Sequence, residues 1–389
     1  MTSRRGIAWL SALIAVLVMA YAAAPYARAL SLIVRAAKIG GRVEAIANAS
    51  AHTVTIEAPH MVPTRYGDVP ARFYQPSGRV TRTVMLVPGI HSMGIDEPRL
   101  KALAYDLAGT GVRAMTLALP DLQRYRITAR STDVLEDAVT WMAAQPALAP
   151  DGHVGMIGIS FAGGLSIVAA GRASIRDKVA FVVSFGGHGD LTRVVHYLCT
   201  GEAPQMEGIT THPPHDYGVA VLLYGLADRM VPPEQVEPLS EGIRTFLLAS
   251  QLTLVDMDRA NAMFQKARDM VKTLPEPAAT LLTYVNERNV KQLGPALLPH
   301  LGNLAADAPS ASPQRAPDVP TAPVYLLHGD GDTVIPTVES AILGRYLEDK
   351  GANVHMLISG LITHAEVDRA ATASDTWKLA AFWASVLKQ

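Results

Sequence analysis

The sequence predicts an α/β protein: a mostly parallel sheet flanked by helices, with a helical cap insertion and an N-terminal membrane-spanning helix. Three observations predict it. From residue 83 to about residue 187, strand-like apolar runs alternate with helix-forming stretches, the pattern of a parallel sheet covered on both faces. Between about residues 189 and 320 the strands stop and helical stretches follow one another. Near the amino terminus the uncharged run 6–24 approaches the roughly 20 apolar residues that cross a bilayer.

Residues 1–29 hold that apolar segment, and two readings of it stand. Its length suits an uncleaved single-pass anchor, which makes the protein membrane-associated. Ala27-Arg28-Ala29, a small-x-small site, suits a cleaved signal instead, which makes it periplasmic or secreted. Arg4 and Arg5 precede the run, while Arg28, Arg35, Lys38 and Arg42 follow it, so the positive-inside rule leaves orientation open.

Residues 30–51 continue as a stalk helix. Residues 52–57 and 71–75 then read as an antiparallel opening to the sheet, joined through Gly67. Strands are expected at 83–87, 112–119, 153–159 and 179–185, alternating with helices at 97–108, 132–144 and 161–171. Residues 52–188 thus make the first part of the core. The insertion, 189–320, carries helices at 191–198, 217–230, 234–250, 256–273 and 277–287 and no strands. A Pro/Ala/Ser-rich linker, 305–323, leads back to the sheet. Residues 321–389 complete the core with strands at 323–327 and 353–359 around a helix ending near Lys350.

Composition excludes several classes. A chain of 389 residues, 49% hydrophobic, suffices for one large core plus an insertion. A net charge of −1 without basic clusters excludes nucleic acid as an expected partner. Cys199 is the single cysteine, so no intramolecular disulfide forms. The prolines in His212-Pro213-Pro214-His215 prevent a helical histidine pair, so no metal site is expected. No Gly-x-Gly-x-x-Gly follows a strand and no phosphate-loop lysine is present, so no cofactor is expected.

The chemistry-bearing residues fall at strand ends. Ser160 lies in Gly158-Ile159-Ser160-Phe161-Ala162-Gly163-Gly164, where an apolar strand turns directly into a helix. Such a turn presents a serine hydroxyl at the carboxyl edge of a sheet, and small neighbours let strand and helix pass closely. Phe161 brings a backbone N–H to the helix start, where donors lack internal partners. A serine needs a base, commonly a histidine oriented by a carboxylate. After the strand 323–327 comes His328-Gly329-Asp330-Gly331-Asp332-Thr333-Val334-Ile335-Pro336, offering Asp332, with Asp330 as its rival. After the strand 353–359 comes Gly360-Leu361-Ile362-Thr363-His364. His328 suits a structural role in its turn, and His355 falls inside a strand. Asp228, in Gly225-Leu226-Ala227-Asp228, repeats the acid spacing but reads as the surface of an apolar helix.

These motifs resemble those of the α/β-hydrolase superfamily. Within it, Gly-x-Ser-x-Ala-Gly-Gly with the compact opening hairpin is similar to the dienelactone-hydrolase and esterase-type branches. The resemblance covers residues 52–389, apart from the insertion, and departs from the common elbow by Ala162 in place of glycine. It implies a triad in the chain order Ser160, Asp332, His364. It also implies an oxyanion hole from the Phe161 N–H and, by similarity of Pro88-Gly89-Ile90-His91 to the His-Gly-x loop, the Ile90 N–H. His91 in that loop is either a substrate contact or a solvated histidine. His188, in Gly186-Gly187-His188-Gly189-Asp190, either lines the pocket or serves the turn. The implied activity is serine hydrolysis of carboxylic esters, with a small or lipid-like ester as partner. Two alternatives share the sequence: an acyltransferase with the same triad, and a non-catalytic membrane-anchored binding module. The insertion is either a cap over the site or a packing module.

Overall fold

Nine strands form one sheet whose order fixes where the site lies. The computed structural model describes residues 2–204, 209–211, 213–253, 256–362 and 373–389. Helices α1 (Thr2–Ala36) and α2 (Gly41–Ser50) come first, then strands β1 (Val54–Ile56), β2 (His60–Val62), β3 (Val69–Pro76) and β4 (Thr83–Val87). Next are α3 (Pro98–Ala108), β5 (Arg113–Leu117), α4 (Pro120–Gln123), α5 (Ala129–Ala143), β6 (Val154–Ile159), α6 (Phe161–Gly171) and β7 (Val179–Phe185). The insertion contains α7 (Leu191–Thr200), β8 (Glu202–Pro204), β9 (Ile209–Thr211), α8 (Asp216–Met230), α9 (Pro233–Leu252), α10 (Met257–Met270), α11 (Ala278–Asn286), α12 (Val290–Leu297) and α13 (Ala308–Ala311). The chain closes with β10 (Val324–Gly329), α14 (Val338–Asp349), β11 (Val354–Ser359) and α15 (Ala373–Val386).

The sheet runs β1-β3-β5-β4-β6-β7-β10-β11, with β2 paired to β3. Strand β3 is antiparallel to its neighbours, and every pair from β5 to β11 is parallel. Parallel pairs need helical crossovers, which cover both faces and leave the central strands dry. In β4 all five residues are buried. Period-two alternation sends Met85 and Val87 to the face shared with α5 and α6, and Val84 and Leu86 to the face shared with α3 and α15.

Two of the differences from the sequence expectation change how segments pack. Residues 30–51 are not one stalk helix. Gly40 and Gly41 take φ of 79° and 65°, a reversal that side chains with a Cβ resist, and α2 folds back on α1. The Ser31 hydroxyl donates to the Ala47 carbonyl at 3.0 Å. The later part of α1 packs into the second core: Ala29, Leu32 and Ile33 are buried there. Arg35 pairs with Asp106 at 3.0 Å, and Tyr26 stacks on Trp377 at 5.4 Å. Upstream, Leu17, Val18, Met19 and Tyr21 are exposed. The insertion, expected to lack strands, contains the antiparallel ribbon β8–β9. Strands of three residues are too short to show an alternation.

Candidate active site

Ser160 stands between β6 and α6 with φ 56° and ψ −132°. Non-glycine residues rarely adopt such a conformation, which costs about 1–3 kcal/mol and persists where surroundings enforce it. Here they do. The Ser160 N–H donates to the Phe185 carbonyl at 2.8 Å, and its carbonyl accepts from the Gly163 N–H at 2.8 Å. Gly158 is required by close approach: a Cβ there would lie 2.2 Å from the Ala162 carbonyl oxygen. The loop after β4 runs directly against the serine. A Cβ on Gly89 would sit 3.2 Å from Ser160 Cβ and 3.8 Å from its Oγ. The N–H of Ile90, the next residue, and that of Phe161, at the first position of α6, donate to no backbone acceptor among the described residues.

Asp332 lies in the turn after β10, and the same strand end brings it beside the serine's support. One carboxylate oxygen accepts from the Val334 and Ile335 N–H groups at 2.8 and 3.0 Å. The other lies 3.4 Å from His328 Nε2, and a Cβ on Gly186 would be 3.6 Å from it. Ser160 is held on Phe185 and Asp332 sits over Gly186, so the two flank one peptide step at the carboxyl end of β7. The rival Asp330 is exposed, its N–H bonded to the Ser359 carbonyl at 3.0 Å. Both nitrogens of buried His328 are engaged, with the Ser340 hydroxyl at 2.7 Å and the Ile335 carbonyl at 2.9 Å. Asp228 is exposed on α8. His355 is exposed on β11 and stacks on Tyr325 at 4.8 Å. His364 lies outside the described residues. Buried Leu361 and Ile362 lead toward it from the end of β11.

His188 is fully buried and lines no open pocket. One ring nitrogen is 2.7 Å from the Ala311 carbonyl, and the ring packs on Gly164 of α6. Desolvation holds its pKa below the usual histidine range, so it is a neutral packing group. His91 is half-buried rather than solvated. Its Nδ1 accepts from the Met93 N–H at 3.2 Å, and burial lowers its pKa to about 4, leaving a neutral ring.

The insertion is hydrogen-bonded to this edge. The His215 N–H donates to the Thr333 carbonyl at 2.8 Å, tying the start of α8 to the acid turn. Tyr197 of α7 donates to the same carbonyl at 3.2 Å; burial, helped by the Asp332 charge, pushes its pKa up to about 12. Ser160 retains only 7% of its surface. Sequence reasoning passed over the contact of Ser92, in the loop after β4, with Gln251, Tyr125 and Tyr217. The Ser92 hydroxyl donates to Gln251 Oε1 at 2.9 Å, and Gln251 Nε2 donates to the Tyr125 and Tyr217 hydroxyls at 3.2 and 3.1 Å. They come from distant segments, and no local motif joins them. Among the described residues no group of three His, Cys, Asp or Glu could hold a metal ion. A cavity of 140 Å³ opens at the opposite edge, beside Arg28, Arg82, Val84 and Val112, away from the serine.

No family model and no curated protein matches the chain. Among solved structures it is similar to an esterase from Pyrobaculum calidifontis, at 15% identity and TM-score 0.46, covering 88% of each chain. It is also similar to a dienelactone hydrolase described as putative from Klebsiella pneumoniae, at 12% identity and TM-score 0.42, covering 86% of this chain and 99% of that one. An acylaminoacyl peptidase from Pyrococcus horikoshii shares 13% identity at TM-score 0.46 over 90% of this chain but 44% of its own. The chain's own topology carries the assignment: a sheet with one antiparallel strand near its edge, a strained serine between a central parallel strand and a helix, and a glycine loop from the adjacent strand against it. This chain has the α/β-hydrolase fold.

Proposed function

We propose that the protein is a serine hydrolase of carboxylic esters, with Ser160 as nucleophile, His364 as base and Asp332 as the orienting acid. The observation that carries the reading is the strained serine at φ 56°, packed against the Gly89 loop. A turn serine without a reaction to perform gains nothing from that strain.

In the proposed cycle Ser160 Oγ attacks the ester carbonyl while its proton passes to His364. The carbonyl oxygen gains the negative charge and accepts from the Phe161 and Ile90 N–H groups. Collapse expels the alcohol, which takes the proton from His364 and leaves an acyl-serine. Water, deprotonated by the same histidine, then attacks the acyl carbon; the acyl–Oγ bond breaks, His364 returns the proton to Ser160 Oγ, and the acid leaves. Asp332 stays ionised throughout and holds the imidazole tautomer. The insertion over the serine excludes bulk water, which strengthens the two N–H donors.

Helix α1 serves as a membrane anchor in this reading. By length and composition the helix is apolar enough to cross a bilayer, and the stretch proposed to do so is the uncharged run 6–24, since Tyr26, Ala29, Leu32, Ile33 and Arg35 pack on the folded core.

The test is labelling of the full chain in detergent with a fluorophosphonate, beside Ser160→Ala and His364→Ala. Labelling of the wild type alone supports the triad. A folded wild type that stays unlabelled refutes it and favours a binding module, whereas product transfer to an added alcohol would make it an acyltransferase.

A further inference from the structure

We infer that Gln251 is a positioning residue that latches the cap onto the oxyanion loop, so that cap closure and assembly of the oxyanion hole are one event. The inference rests on the serine-hydrolase reading for its kinetic meaning, though not for its geometry. The loop 88–94 has three fixed points. Gly89 packs on Ser160, and Gly94, at φ 51°, lies where a Cβ would be 2.3 Å from Gln123 Nε2. Between them Ser92 reaches across to Gln251 on α9 at 2.9 Å. That bond is a side-chain link from the loop's middle to the insertion, two residues beyond Ile90.

Gln251 is itself fixed from below. Its amide N–H groups meet Tyr125 and Tyr217 at 3.2 and 3.1 Å, and the two rings pack edge to face at 6.4 Å. Tyr125 follows α4 at the carboxyl end of β5, belongs to the core, is buried, and has φ 58°. A bulky aromatic in the left-handed region is uncommon and marks a conformation enforced by its surroundings. Tyr217 belongs to α8 of the cap. The one amide thus joins a core turn, two cap helices and the oxyanion loop. An amide supplies both an acceptor for the serine and donors for two phenol oxygens, which leucine cannot do. When the cap lifts, the loop loses its middle anchor, and Ile90 N–H loses its aim. A donor misplaced by about 1 Å can cost on the order of a hundredfold in rate.

The experiment compares full-length wild type, Ser92→Ala, Gln251→Leu and Gln251→Glu in detergent, by ester turnover and by hydrogen exchange of the loop. Glutamate can accept from Ser92 and both phenols, so it should restore the links that leucine breaks. Gln251→Leu is expected to lower kcat about tenfold or more with KM within about threefold, and Gln251→Glu to recover most of the loss. Ser92→Ala, at an exposed hydroxyl that folding does not need, should lower kcat several-fold with Tm unchanged. In both unlatched variants the Gly94 N–H, bonded to the His91 carbonyl at 3.0 Å, should exchange several times faster. Wild-type kcat and exchange in Ser92→Ala and Gln251→Leu would overturn the latch, and if the leucine variant does not fold, Ser92→Ala decides. Should no form turn over ester while exchange still rises, the latch stands and the hydrolase reading falls.

Discussion

Strain at Ser160 has a measurable consequence when the serine is replaced by alanine and by glycine. Both substitutions remove the hydroxyl, so they differ only in the Cβ. At an ordinary buried position glycine is the worse choice. It loses about 0.8 kcal/mol of methyl burial and roughly 0.4–1 kcal/mol of extra unfolded-chain entropy, about 1.5 kcal/mol together. At Ser160, φ 56° and ψ −132° charge alanine a conformational cost that glycine escapes. That cost is about 1–3 kcal/mol. The balance runs from about 0.5 kcal/mol against glycine to about 1.5 kcal/mol in its favour, so the usual glycine penalty should shrink or reverse at Ser160. Ser166 supplies the internal reference: it is fully buried within α6, in ordinary helix, where the glycine variant should fall below the alanine variant by about 1.5 kcal/mol or more. Urea denaturation of the four variants in one detergent measures both gaps. A Ser160 gap as large and of the same sign as the Ser166 gap would refute the claim that the elbow is strained.

Gly158→Ala should destabilise the elbow by about 3 kcal/mol or more, since its Cβ would meet backbone at 2.2 Å, and loss of folded protein in a thermal melt checks it. Glu339 is 1% exposed and accepts from the Gly189 and Asp190 N–H groups at 3.0 and 3.1 Å and from Arg193 Nη2 at 2.8 Å. Glu339→Ala should therefore cost about 3–5 kcal/mol in urea denaturation, with Glu339→Gln losing less. His91, with its pKa lowered to about 4 in the fold, binds a proton less readily than it does in the unfolded chain. Its contribution is fully present above about pH 6.5 and is lost as pH falls toward 4, with a slope of at most about 1.4 kcal/mol per pH unit. His91→Asn should flatten that slope. A chain begun at Tyr26 should keep the native Tm, whereas one begun at Ala51 loses Leu32, Ile33 and the Arg35–Asp106 pair and should melt lower.

The geometry of the sheet edge around Ser160 was legible because the signals were local. Gly158-x-Ser160-x-Ala162 announces a strand that becomes a helix at once, and β6 and α6 meet at that serine. Central strands buried on both faces carry continuous apolar runs, so β4 and β7 coincide with the expected 83–87 and 179–185. Asp332 separated from Asp330 by position in its turn, and the buried carboxylate with two backbone donors is the one the spacing favoured. The expected base, His364, lies outside the described residues, so its placement remains a proposal.

What stayed hidden depends on contacts between distant segments. Helix α12, which carries Gly294 and Pro295, lies beyond the last helix expected in the insertion, 277–287. Its Gly294 is explained only by packing: a Cβ there would lie 1.9 Å from the Cys199 carbonyl oxygen, on a helix nearly a hundred residues earlier. The fold-back of α2 follows the same logic, since Gly40-Gly41 permits a reversal but only the Ser31–Ala47 bond and the packing on α1 choose it. His188, which either lines a pocket or serves its turn by sequence, is fully buried under α6 with one ring nitrogen on the Ala311 carbonyl. The Ser92–Gln251–Tyr125–Tyr217 cluster is the sharpest case. Each residue alone is an unremarkable surface or core residue, and Tyr125 reveals itself only through a backbone angle no sequence pattern encodes. Residues that hold a site together across a cap are chosen by the closed geometry, so pairwise substitution across that cap can reveal them where motif reading cannot.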